Sequence, residues 1–493
     1  MHSRSISRRQ TLGALGASGV LALAGCVGDD DNGDDTEPTN GTTNGEDYDG
    51  LRVGILGALT GSNGPEFGHQ GITGFLCGLA YKADAEPFTD PALEIGDDGN
   101  FVAAPESIHG EVTEYSVGDV DFELHFRDSE DDARTAERQA TRLVNDENVD
   151  VLYGLSNSDS LLRVINNVVE VADTPLFVGQ ATTSEATADA ETCDRRVFRA
   201  TETSAMSARV GARYIVEQDD LQRVALFGAD YSFGRSIIRQ YRTALEAEGV
   251  EIVTEEGEEI FPQGYTDWQD ELAAVDAAGV DVIVYGFTAQ TGIPFFREWT
   301  TDEDGDVSIP ASKVIGDLPP RISTAEIGSS IQGILDDLGG QFEGVELESV
   351  LQLVDFGPLT GRYMWNQYDN EINDTFYDLH TSAYNVPPDL FTSSSFTSAS
   401  AIVQALEAEG EVSADAVLEG AYGMQVEDTP KGSGEYVFQE YNNQARSPMT
   451  MAGFVDTEDA YWPPIIQASE PVFRLDKDET TLQEGEVGCS LEP

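Results

Sequence analysis

Leu51-Arg52-Val53-Gly54-Ile55-Leu56 is a nearly unbroken apolar run that ends at Thr60-Gly61-Ser62, a pattern that predicts a buried strand and a turn. Residues 68–81 then read as a helix, and residues 120–126 alternate polar and apolar as a strand does. Residues 131–145 place Ala133, Ala136, Ala140 and Leu143 on one side of an amphipathic helix. A strand at 149–153, a helix at 160–172 and a strand at 175–178 complete the series. Strands and helices in strict alternation imply a parallel sheet with helices on both faces.

A second series of matched length begins after Phe198-Arg199-Ala200-Thr201. Helices are expected at 209–218, 234–248, 268–277 and 291–299, with strands at 223–227, 250–255, 280–285 and 313–316. Residues 83–118, rich in Pro, Gly, Asp and Glu, interrupt the first series and read as an inserted loop or small hairpin. Beyond Phe356 the pattern blurs, apart from a helix at 398–409. Two α/β series over some 440 residues exceed one ordinary core, so two lobes are expected.

The leader changes the picture. Arg8-Arg9 precede a small and apolar run, residues 12–25, which is too short to cross a bilayer as a helix and reads as an export signal. Adjacent arginines point to the twin-arginine route. The run closes on Leu23-Ala24-Gly25-Cys26, which resembles the lipobox of prokaryotic lipoproteins, where the cysteine thiol takes a lipid and becomes the mature N-terminus. A signal peptide over 1–25 and an acidic, disordered tether over 26–49 are therefore expected, with the chain anchored through Cys26.

The formal net charge is −64, from 91 acids and 27 bases. Leaving aside nine acids in residues 29–49 and three arginines in the leader, 82 acids remain against 24 bases, a net of −58. Such a body repels itself at low salt, whereas at about 1 M salt the Debye length falls to about 3 Å. A salt-loving, haloarchaeal source accounts for this better than a basic partner does. Nucleic acid is excluded as a ligand, because phosphate binding needs a basic surface. Beyond Cys26, the thiols are Cys77, Cys193 and Cys489. Two readings stay open: a bridge between Cys193 and Cys489, which lie in polar contexts, or no bridge at all.

Several short segments, in order, resemble the branched-chain amino acid and amide binding proteins, periplasmic binding proteins of type I. Residues 51–61 match the family's opening strand and Leu-Thr-Gly turn, and Phe67-Gly68 stands at its usual Tyr-Gly. Arg127-Asp128-Ser129-Glu130-Asp131-Asp132, Asp150-Val151-Leu152-Tyr153-Gly154, Ala181-Thr182-Thr183 and Ala229-Asp230-Tyr231-Ser232-Phe233-Gly234 match four further segments. The resemblance covers about residues 51–475. It implies an α/β fold of two lobes, each a parallel sheet flanked by helices, joined by three crossovers near 200, 351 and 441 around a cleft. Lobe 1 would hold 51–200 and 352–440, lobe 2 would hold 201–351 and 441–475, and 476–493 would form a tail.

The resemblance also implies a site. Asn157 and Ser158 stand at a helix start suited to a ligand carboxylate. Gln180, Ala181 and Thr182 lie on the neighbouring loop, where oxygens would take a ligand ammonium. Phe67, Phe233 and Phe287 would pack on the ligand, and Asp317 would pair the ammonium. Each residue has a competing structural role: Ser158 an ordinary helix cap, Phe233 core, Asp317 one solvated acid among many. The implied function is the extracellular, lipid-anchored solute-binding component of an ABC importer, which hands a small polar ligand (an amino acid, amide or urea-like molecule) to permease subunits.

No catalytic centre, cofactor motif or metal-ligand spacing is visible. His2, His69, His109, His125 and His380 show no paired spacing for zinc. Gly154-Leu155-Ser156-Asn157-Ser158 lacks the final glycine of a nucleophile elbow. The chain is thus read as a non-enzyme. Two alternatives remain: an extracellular sensor domain, for which a transmembrane or signalling segment after residue 475 is expected, and a secreted hydrolase, for which a nucleophile–base pair is expected.

Overall fold

The computed structural model describes residues 48–61, 64–96, 100–300, 311–317, 357–456 and 466–491. The expected leader, Cys26, the tether up to residue 47 and the stretch 318–351 lie outside them.

The apolar run at the start of the body forms β1 (Leu51–Gly57), buried on both faces as a central parallel strand must be. It is followed by α1 (Gly64–Ala83) and by a hairpin, β2 (Val112–Val117) and β3 (Val120–Asp128). Next come α2 (Ala133–Asn145), β4 (Val151–Gly154), α3 (Ser158–Val164), α4 (Glu170–Ala172) and β5 (Leu176–Val178). A π-helical turn, Ile165–Val169, joins α3 to α4. Then α5 (Glu185–Ala188) leads to β6 (Val197–Phe198). The strands lie in the order β2-β3-β1-β4-β5-β6, parallel except for β2 at the edge. The hairpin strand β2 therefore comes from the interrupting stretch 83–118, whose Leu93, Ile95 and Ile108 are buried.

The second series builds α6 (Ser204–Glu217), β7 (Arg223–Ala229), α7 (Ser232–Ala247), β8 (Glu251–Ile252) and β9 (Ile260–Phe261). It continues through α8 (Gln269–Ala278), β10 (Val282–Gly286), α9 (Ala289–Trp299) and β11 (Lys313–Ile315). β11-β10-β7-β8 form its parallel sheet. The strand expected at 250–255 shrinks to the two residues of β8: Val253 still donates its N–H to the Val224 carbonyl at 2.9 Å, but next to it the Thr254 hydroxyl, in place of a backbone carbonyl, accepts from Leu226 N–H at 3.0 Å.

A bridge between Asp317 and Thr360 carries this sheet on to β12 (Leu359–Gly361), which pairs with β16 (Met449–Ala452), itself paired with β17 (Phe473–Leu475). Between β12 and β16 the chain returns to the first half. There α10 (Glu371–Tyr384) and α11 (Thr392–Glu409) pack on α1. The strands β13 (Gln425–Val426), β14 (Tyr436–Phe438) and β15 (Ala445–Arg446) follow, and Gln444 bridges back to Arg199 just after β6.

Helix α11 begins six residues before the expected start at 398. Its first turns are polar in sequence, yet Ser394, Ser395, Thr397 and Ser398 are buried. Ser395, Thr397 and Ser398 donate to carbonyls one turn back, at Phe391, Ser393 and Ser394. Internal bonding of this kind lets hydroxyls sit in a core while reading as a loop. The small residues also allow a close approach: a side chain at Gly74 or Gly78 of α1 would lie 2.4 Å or 2.5 Å from an α11 carbonyl oxygen.

Cys193 and Cys489 form a disulfide that ties the loop after α5 to the end of the chain. Cys77 is a buried thiol, and burial pushes its pKa well above the usual value.

Candidate functional site

Ligands of open α/β sheets bind beyond the carboxyl ends of the strands. At those ends of the first sheet, Asp128 closes β3 with a buried carboxylate. One of its oxygens accepts from the backbone N–H of Leu59 (2.9 Å), Thr60 (3.3 Å) and Glu130 (2.8 Å). The other accepts from the Thr60 hydroxyl at 2.7 Å. This acid fixes the Leu59-Thr60-Gly61 turn, and Gly61 adopts φ +108°, which disfavours a side chain.

After β4, Asn157 caps α3 by accepting from the backbone N–H of Asp159 (2.8 Å) and Ser160 (3.2 Å). Ser158 is buried and its hydroxyl accepts from Thr183 N–H at 3.2 Å. The Gln180 amide nitrogen donates to the Phe67 carbonyl (3.3 Å) and to Ser156 Oγ (2.8 Å), and its oxygen accepts from Gly71 N–H at 3.2 Å. Ala181 donates its N–H to the Leu155 carbonyl at 3.0 Å, and the Thr182 carbonyl accepts from Ser204 N–H at 2.8 Å. The structure thus gathers Asn157, Ser158, Gln180, Ala181 and Thr182 at adjacent strand ends, with their side chains or backbones engaged by neighbouring protein groups.

The second half meets this wall at the start of α7. Asp159 of α3 accepts from both the N–H (3.2 Å) and the hydroxyl of Ser232, so it supplies the cap that α7 lacks from its own segment. Ser184 donates its N–H to Ser236 Oγ at 3.2 Å, and Arg239 pairs with Glu185 at 2.9 Å. Phe233 is half-buried, with its ring 5.8 Å from Tyr231. The Tyr231 hydroxyl bonds the Thr288 side chain, and burial, with Asp131, Asp159 and Asp317 nearby, pushes its pKa up. Phe287 sits deeper, in an aromatic core with Tyr285, Phe295 and Trp268 at 5.1, 5.2 and 5.6 Å. Phe67 stands against Phe391 at 5.8 Å, and both belong to a hydrophobic cluster that includes Tyr231 and Phe287.

Asp317 is placed where β11 meets β12. Its carboxylate accepts from Thr360 Oγ1 at 2.5 Å and from Arg362 Nη2 at 2.8 Å, and its carbonyl accepts from the Tyr285 hydroxyl at 2.7 Å. Its charge is therefore matched within the protein. Arg362 is 2 % exposed, donates Nε to the Glu202 carbonyl at 3.2 Å, and lies over the Phe391 ring at 5.1 Å. Behind it, where the chain passes between the two halves, Lys431 and Glu202 form a fully buried ion pair at 2.6 Å. Tyr436 and Ser447 hydroxyls also donate to that Glu202 oxygen, at 2.9 and 2.7 Å. Burial lowers the Lys431 pKa, with Glu202 opposing the shift.

Asp159, Tyr231, Arg362 and Phe391 escaped the sequence reading. The first two lie inside matched or helical segments but carry no periodic signal of their own. The others fall where the hydrophobic pattern blurs.

The periodic pattern, the two parallel sheets and the strand-end loops agree with a direct comparison: the sequence profile described as periplasmic binding protein matches residues 50–302. The chain belongs to the periplasmic binding protein family. Solved members of similar fold include a solute-binding protein of an ABC transporter from Rhodopseudomonas palustris BisB5, in complex with 3,4-dihydroxybenzoic acid. It is 17 % identical with TM-score 0.63, over 87 % of this chain and 98 % of the other. An ABC-type branched-chain amino acid transporter protein from R. palustris CGA009 is 20 % identical with TM-score 0.60, over 88 % and 98 %. A leucine-binding protein from Thermotoga maritima is 12 % identical with TM-score 0.60, over 87 % and 99 %. At these identities the likeness speaks for the two-lobed fold of this periplasmic binding protein. No curated protein sequence matches significantly.

Proposed function

We propose that this periplasmic binding protein is the solute-binding component of an ABC importer, that it closes its two lobes on a small polar ligand and delivers it to permease subunits, and that it is not an enzyme. The observation that carries this reading is the facing of two parallel sheets across polar strand-end loops, with Asp159 of one half capping α7 of the other. A cap that crosses between the halves exists only while they are apposed, which is what a closing cleft requires. The lobes are taken as 51–200 with 362–446, and 201–361 with 447–475. The strand pairings through β12 and β16 support these limits, with the second and third crossovers proposed somewhat later than the expected 351 and 441. The binding wall is taken to include Phe67, Asn157, Ser158, Gln180, Ala181, Thr182 and Phe233, joined by Tyr231.

Export by the twin-arginine route, a lipid on Cys26 and a salt-loving source complete the proposal, on the strength of Arg8-Arg9, Leu23-Ala24-Gly25-Cys26 and the −64 charge. Small-angle scattering in molar KCl, against a library of amino acids, amides, urea and organic acids, tests the central claim. A ligand is expected to contract the radius of gyration and raise Tm. A library without a single closing solute would sink the reading. Cys26→Ser is expected to release the protein from membranes into the medium.

A further inference from the structure

We propose that the segment 476–491 is a brace across the hinge, held in place by the Cys193–Cys489 disulfide, so that the ligand-free protein opens only narrowly. This rests on the two-lobed reading of the chain and on no assumption about the solute.

The backbone joins the two halves at three crossovers, and this segment adds a fourth connection. It leaves the second half from β17, whose Leu475 pairs with Met449 of β16 and whose Phe473 ring lies 5.9 Å from Tyr214 of α6. It ends on the first half, where Cys489 is bonded to Cys193 in the loop between α5 and β6. Around that bond, Gly488 donates its N–H to the Ala188 carbonyl at 2.8 Å, and Leu491 donates to the Tyr441 carbonyl at 3.0 Å. Between its ends the segment touches both halves. Arg209 of α6, in the second half, donates Nη1 to the Thr481 carbonyl at 3.1 Å and Nη2 to Glu486. In the first half, Lys477 Nζ donates to the Gly434 carbonyl at 2.9 Å, and Arg446 pairs with Asp478 at 2.6 Å. Thr480 is fully buried and donates to the Ser447 carbonyl at 2.7 Å, beside the third crossover.

The covalent link alone sets no limit on opening, because the fourteen residues 476–489 could span up to about 50 Å if drawn straight. What resists opening is the docked state. Parting the halves must strip the segment either from Arg209 or from its partners on the first half. The disulfide forbids a full release from the first half, and so holds the segment at high effective concentration beside Arg209. Exposed ion pairs contribute little in molar salt. The resistance therefore lies in the hydrogen bonds to carbonyls, and across the halves the bond from Arg209 to Thr481 is the one to remove.

Small-angle scattering and hydrogen exchange on the ligand-free protein in molar KCl test this, comparing wild type with the double variant Cys193→Ser, Cys489→Ser and with Arg209→Met. Exchange at the Ser232 amide reads apposition of the halves, because Asp159 of the other half accepts that N–H at 3.2 Å. Exchange in β1, a central strand of the first sheet, reads global unfolding. Both variants are expected to enlarge the radius of gyration and to quicken exchange at Ser232 about tenfold, the worth of one hydrogen bond to a charged group. Exchange in β1 is expected to stay as in wild type. Should the double variant fail to fold, Arg209→Met, which keeps the disulfide, carries the test. Exchange that quickens equally at Ser232 and in β1 would make the segment a clip for the fold and overturn the proposal. Variants that match wild type in either readout would overturn it too. Neither result touches the solute-binding reading, whose own test is closure by a solute.

Discussion

The wall of strand ends at α3 and the buried ion pairs behind it solve the problem of polar groups in opposite ways. At the wall, side chains satisfy nearby backbone with no buried ion pair among those described: Asn157 caps its own helix, Ser158 holds a neighbouring loop, and the Asp128 carboxylate holds the turn after β1. In the crossover region full charges are buried and matched over long sequence distances, Glu202 with Lys431 and Asp317 with Arg362. A neutral hydrogen bond contributes about 1 kcal/mol, whereas an unmatched buried charge costs several. The wall can thus vary with little effect on folding, while the crossovers are held to one arrangement. That contrast would suit the proposed function, in which the crossovers would have to survive many closures while the wall would set what is bound.

Three measurements sharpen the contrast, each by denaturation in molar KCl. Lys431→Met leaves Glu202 buried without its partner and is expected to cost about 3–5 kcal/mol. Adding Glu202→Gln removes the stranded charge, and the double variant is expected to recover most of that loss. A double variant as unstable as the single one would show that packing, not charge, holds the crossover.

The buried histidines between α1 and α10 are expected to come next. Burial lowers the His69 pKa to about 4 and the His380 pKa to about 3. Their rings lie 6.2 Å apart, with His380 Nε2 bonded to Thr73 Oγ1 at 3.0 Å. The unfolded chain takes up these protons near pH 6.5, while the folded chain refuses them until about 4 and 3. Stability is therefore full above that unfolded value and is lost as pH falls below it, by roughly 1.4 kcal/mol per histidine per pH unit until each folded value is reached. His380→Gln is expected to flatten about half of the slope between pH 6.5 and 5, and an unchanged slope would place the titration elsewhere.

The smallest effect belongs to the wall. Asn157→Ala removes the α3 cap and is expected to cost about 0.5–2 kcal/mol, while Asn157→Asp keeps an accepting oxygen and stays near wild type. A loss as large as that of Lys431→Met would erase the distinction between wall and crossover.

Much of the fold was legible because burial repeats with the backbone. The apolar run of β1, the alternation of β3 and the single apolar side of α2 each report a local period of two or 3.6 residues. The order of those elements then implies a parallel sheet. Helix α11 was read short because its buried serines and threonines look polar while bonding within the helix. The glycines that admit it against α1 carry no signal without their partner. Within the site, the segment motifs marked the wall, since helix caps and strand-end loops are built from neighbouring residues.

By itself, then, the sequence determined two α/β halves, an acidic body and the strand ends at which a ligand would sit, because each is written in local periodicity, composition or short motifs. Only the tertiary structure decided that Asp159 caps a helix of the opposite half, that Asp317 is matched by Arg362, and that Lys431 answers Glu202 across 229 positions. In a chain with 91 acids, composition is silent on which carboxylates are paired. Pairing depends on which distant segments packing brings within about 4 Å, where Coulomb attraction can offset the desolvation of buried charge.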